Sequence, residues 1–121
     1  MTTIKSYTDI EQSKKLAEIL LLESADMWYQ HIGFSIKDGS ERPLYFPMVI
    51  RDCESDEDIP CWSLAALLSI LPKIINNETL FIETSAALWH IGYRNIYTAR
   101  ADNPLDACMD MILKLHELNL L

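Results

Sequence analysis

Glycine is scarce in this chain: three residues in 121, at Gly33, Gly39 and Gly92, none close to another. A phosphate-cradling loop needs clustered glycines so that backbone amides can close on the ligand, so nucleotide binding by that route is excluded. Cysteine is as sparse. Cys53, Cys61 and Cys108 are an odd number without CxxC spacing, which argues against a disulfide framework or a zinc knuckle and leaves reduced, partly packed thiols. Cations are outnumbered, ten Lys and Arg against 18 Asp and Glu, for a formal net charge of −8. Nucleic-acid-binding domains neutralise phosphates with clustered Lys and Arg, and this chain has no such cluster. No apolar run approaches the ~18–20 residues of a membrane-spanning helix. Near the start there is Lys5 but no apolar stretch before a small-residue cleavage site, so a cytoplasmic location is expected.

What is present suffices for a core. Half the residues are hydrophobic and 23% are charged, which excludes a disordered chain. A length of 121 residues suits a single domain over 1–121.

The string Thr8-Asp9-Ile10-Glu11 reads as a capping box, with the Thr8 hydroxyl on a first-turn amide and Glu11 reaching back. A helix is predicted from about Asp9 to Leu21, with Ile10, Leu16, Ala17 and Leu20 near one face. From Asp26 to Ile50 the period becomes strand-like around the turn residues Lys37–Ser40, and Pro47 marks an edge or an interruption. This predicts a hairpin with a long or irregular connection. A second helix is predicted over Trp62–Leu71, opened by Pro60, stopped before Pro72 and apolar nearly all round. A second hairpin is predicted from Thr79–Glu83 and Leu88–Tyr93 about the link Thr84–Ala87, with a short strand at Ile96–Ala99. The last helix is predicted from Pro104 to about Leu118, with Asn103 as N-cap and Leu105, Cys108, Met109, Ile112 and Leu115 as its buried stripe. The expected fold is α+β: a small antiparallel sheet of four to five strands in two hairpins, with about three helices packed on one face.

Three strings, Glu23-Ser24-Ala25-Asp26-Met27, Pro60-Cys61-Trp62-Ser63-Leu64-Ala65-Ala66-Leu67-Leu68, and Asp102-Asn103-Pro104-Leu105-Asp106-Ala107 running into Leu115-His116-Glu117-Leu118, occur in this order. The combination resembles a group of small uncharacterised proteins of gut bacteria and of their phages and other mobile elements. The likeness spans Thr8 to Leu121. It implies an intracellular accessory protein associated with mobile DNA, and it assigns no residue a catalytic or binding role.

Four constellations bear on chemistry. Asp52, Glu54, Asp56 and Asp58 alternate like the odd positions of a calcium loop. Glu57 stands where the turn glycine belongs and Ser63 where the closing glutamate belongs, so no metal is expected there. Glu23, Asp26 and His31 supply two carboxylates and an imidazole for acid–base work, provided they converge. Cys61, just inside a predicted helix start, could be a thiol nucleophile with His31 or His90 as base, yet the adjoining Trp62 points to packing. Trp28, Tyr29, Trp62, Trp89, Tyr93 and Tyr97, interleaved with Arg94 and Arg100, could stack nucleic-acid bases, but the net charge opposes it.

The balance favours a non-catalytic protein that binds another protein, with no cofactor. The alternative is a small enzyme using Glu23, Asp26 and His31 or the Cys61 thiol. Asp52, Glu54, Asp56, Glu57 and Asp58 put five acids into seven residues beside Pro60 and Trp62. An extended, solvated acidic loop next to an aromatic anchor would steer a protein partner by charge. The all-round apolar second helix also suggests a homo-oligomer. Neither nucleic acid nor membrane is an expected partner.

Overall fold

The computed structural model describes residues 5–53 and 55–121. The α+β class is what forms. In chain order the elements are α1 (Ile10–Ile19), a single 3-10 turn (Leu22–Ser24), β1 (Met27–Lys37), β2 (Ser40–Ile50), β3 (Ile59–Cys61), α2 (Leu64–Ile70), β4 (Ile74–Ile75), β5 (Glu78–Ser85), β6 (Leu88–Tyr93), β7 (Tyr97–Ala101) and α3 (Pro104–Glu117). Both expected hairpins are present. Their strands divide between two antiparallel sheets, ordered β2-β1-β3 and β4-β5-β6-β7, rather than joining in one of four or five. Proline explains part of this division: Pro43 and Pro47 lie in the edge strand β2 and have no N–H for a further ladder. The described residues gather into two compact units, Thr8–Trp62 and residues 5–7 with Ser63–Leu121.

In the Thr8–Trp62 unit the capping box sits one residue later than expected. Asp9 is the N-cap of α1, its carboxylate accepting from the Gln12 amide at 2.8 Å while the Gln12 side chain accepts from the Asp9 amide. Thr8 is drawn inward instead. Its Oγ1 accepts from the Trp62 amide and lies 2.8 Å from Ser13 Oγ, and its carbonyl accepts from the Tyr29 hydroxyl at 2.7 Å. Thr8 thus ties α1 to β1 and β3, with Leu16, Tyr29, Ile59, Cys61 and Trp62 forming the surrounding core.

The first hairpin turns tightly on Asp38-Gly39, both at positive φ, so its connection is short and its irregularity lies within the strands. Tyr29 pairs Val49, His31 pairs Tyr45 and Gly33 pairs Leu44. Two extra residues therefore bulge from β2, and then one, Ile32, from β1. Gly33 follows that bulge at φ +136°, a conformation side chains rarely adopt. Because β3 pairs only Met27–Tyr29, the hairpin continues past it as a two-stranded ribbon.

In the other unit Ser63, not Pro60, opens α2, its hydroxyl accepting from the Ala66 amide. Pro60 belongs to β3, opposite Trp28. The shortened α2 packs on α3, buries Leu67 and turns Ala65 and Ser69 to solvent. No large apolar side chain of α2 is exposed, which removes that helix as grounds for self-association. As expected, Asn103 caps α3 and Pro104 opens it. Its buried face, Leu105 to Leu115, packs on β6 and β7 over Ile91, Tyr93 and Ala99. The β5–β6 turn places Ala86 and Ala87 at φ +52° and +64°, where glycine or asparagine would be less strained.

Candidate functional site

The sites expected from sequence do not assemble as grouped there. Cys61 has no exposed surface, and burial pushes its thiol above the ordinary value, with Asp26 adding to the rise and hydrogen bonds to Thr8, Ser13 and Tyr29 opposing it. A nucleophilic cysteine needs the opposite shift and access to substrate. Trp62 is also fully buried, its indole N–H donating to Ser24 Oγ at 3.0 Å, so it is a core residue rather than an exposed anchor. Glu23 and Asp26 are exposed, and the carboxylate that meets the His31 ring is that of Glu57.

The acidic segment departs from an extended, repelling loop. Its residues 55–58 form a turn, with the Asp58 amide donating to the Ser55 carbonyl and the Glu57 amide to the Ser55 hydroxyl. Asp58 is buried. Its carboxylate accepts from the His31 amide at 2.8 Å and the Ser55 amide at 3.2 Å, anchoring the turn to β1. Asp52, Asp56 and Glu57 remain exposed, and Glu54 lies outside the described residues. Backbone donors aimed at one carboxylate offset the repulsion that the run of acids implies. Asp58→Ala would leave two amides without this acceptor. The expected loss is roughly 1–3 kcal/mol, read as a lower urea midpoint at unchanged slope.

Around this anchor a cluster forms that the sequence did not group. His31 Nδ1 lies 2.9 Å from Glu57 Oε2, and the His31 side chain is 11% exposed. Phe34 and Tyr45 set their rings at 67° and 70° to the imidazole, with centroids 4.9 and 5.6 Å away. The Ile32 bulge makes this possible. Simple alternation would put His31 and Phe34 on opposite faces, whereas the extra residue brings both to the face of Tyr45 and Pro43. Burial, then the Glu57 and Asp58 carboxylates, push the Tyr45 phenol above its ordinary value. Pairing with Glu57 places a proton on Nδ1, so Nε2 is the acceptor of the neutral ring; it is buried and, among the described residues, has no hydrogen-bond partner. A carboxylate–imidazole pair can act as a general base, but an enclosed Nε2 offers a substrate no approach in this conformation.

Beyond the cluster, the ribbon exposes large apolar side chains, with Glu41 and Arg42 also exposed near its tip. Ile36 is 81% and Phe34 53% exposed, and Ile32, Leu44 and Phe46 are also exposed. Phe34 and Ile36 share a face with Pro43, while Leu44, opposite Gly33, lies on the other. Among the described residues no group of three or more His, Cys, Asp or Glu could hold a metal, and no helix is long and apolar enough to cross a membrane. Comparisons with protein-family models, curated proteins and solved structures find no match.

Proposed function

We propose that this chain is a non-catalytic intracellular accessory protein that binds another protein through its β1–β2 hairpin. The observation that carries the reading is the exposed apolar ribbon. Two-stranded hairpins are marginal alone in water, and five large apolar side chains left outside on one hairpin call for a covering surface. Pro43 and Pro47 blunt the β2 edge, so the side-chain faces, rather than an added strand, make the contact. The three free cysteines accord with a reducing, cytoplasmic setting. The accessory role in mobile elements that the resemblance implies belongs to the same proposal. Against the enzyme reading stand the buried Cys61 thiol and the enclosed His31 Nε2.

A photo-crosslinking residue at Ile36, compared with one at the exposed Ala65 of α2, tests the proposal in cells of the native host. A discrete adduct from position 36 and none from position 65 is the expected result. Equal labelling from both positions, or none from position 36, would overturn it.

A further inference from the structure

Charge is unevenly divided between the two units. Thr8–Trp62 carries twelve acids against five Lys and Arg, a net −7, and the rest of the chain carries −1. The exposed apolar ribbon therefore belongs to the strongly acidic unit, and Glu57 and Asp58 bring that charge onto β1 itself, through the His31 ring and the His31 amide. A second copy of this chain would present −7 to −7. A basic partner would not meet that repulsion, and charge of opposite sign also speeds its approach.

Resting on the hairpin-docking reading, we propose that the partner is a basic protein segment that alternates apolar and cationic side chains. Its apolar residues cover Phe34 and Ile36, and a lysine or arginine lands on the cluster of His31, Phe34, Tyr45 and Glu57. The chemistry of that cluster fits a cation. Aromatic rings attract positive charge through their faces, and the Glu57 carboxylate beside them is exposed. A neutral or acidic apolar segment could cover the ribbon but would leave the carboxylates facing no countercharge.

Fluorescence anisotropy on the whole chain, with three labelled octapeptides alternating Leu-Lys, Leu-Glu and Ser-Lys, tests the proposal. The Leu-Lys peptide is expected to bind at least tenfold more tightly than either of the others. Phe34→Ser and Glu57→Gln are each expected to weaken it severalfold, and salt raised from 0.1 M to 1 M should weaken it further. Equal affinity for Leu-Glu would overturn the cationic partner while leaving hairpin docking in place. Equal affinity for Ser-Lys, with no effect of Phe34→Ser, would reduce the binding to charge alone and overturn both readings. Absence of Leu-Lys binding up to millimolar peptide overturns the cationic partner. A dimer in sedimentation that Phe34→Ser dissociates would assign the ribbon to a second copy instead.

Discussion

Gly92→Ala is expected to destabilise the chain severely, although it adds only one methyl group. A Cβ at this position would lie 2.2 Å from the Tyr97 carbonyl oxygen and 2.7 Å from Thr98 Cα. Both are backbone atoms of the neighbouring strand, Gly92 being paired with Thr98 in the β6–β7 ladder. No side-chain rotation relieves such a contact; the strands must separate or the ladder must shift. These strands carry α3, whose Leu105, Cys108, Ile112 and Leu115 have no solvent exposure, so separation would also loosen the core. A loss on the order of 3 kcal/mol or more follows, a large share of the roughly 5–15 kcal/mol that stabilises an ordinary domain. Circular dichroism melting should show a midpoint at least about 10 °C lower. A midpoint within a few degrees of wild type would mean that β6 and β7 are not so closely apposed.

Alkaline pH is expected to unfold the protein through two buried acids. Burial pushes the Cys108 thiol from 9.0 up to about 12, and likewise the Tyr93 phenol from 10.0 up to about 12. Tyr93 donates its hydroxyl proton to the Pro72 carbonyl, a contact the phenolate cannot make. The direction follows from linkage. A folded-state value raised above the unfolded one means that the folded chain holds its proton longer, so the stabilisation is complete below about pH 9 and is lost as pH rises toward 12. At about 1.4 kcal/mol per pH unit, Cys108 alone accounts for on the order of 4 kcal/mol across that window. Urea midpoints between about pH 7 and pH 11 should stay level to about pH 8.5 and then fall. Cys108→Ala, which removes the thiol for a small cavity, should flatten the fall while leaving the Tyr93 part. An identical slope in wild type and variant would show that Cys108 does not titrate with unfolding.

The sequence by itself determined the elements whose signals are local. Asn103-Pro104 opens α3 because a side-chain acceptor and a proline without an amide suit the unpaired first turn, and both act over three or four residues. The two hairpins, the edge position of the strand containing Pro47 and the inward face of α3 were legible for the same reason: turn chemistry and periodicity depend on near neighbours. Tertiary structure decided the rest. Thr8 and Asp9 are both competent caps, and the choice fell to Asp9 because Thr8 is held by Trp62, more than fifty residues away. Pro60 could open a helix or sit in an edge strand, and its pairing with Trp28 settled it. Five acids in a row of seven read as repulsion until β1 supplied an amide to bury Asp58. The candidate site was invisible for a geometric reason. One bulged residue at Ile32 reverses which side chains share a face, and a bulge depends on the register between two strands rather than on the composition of either.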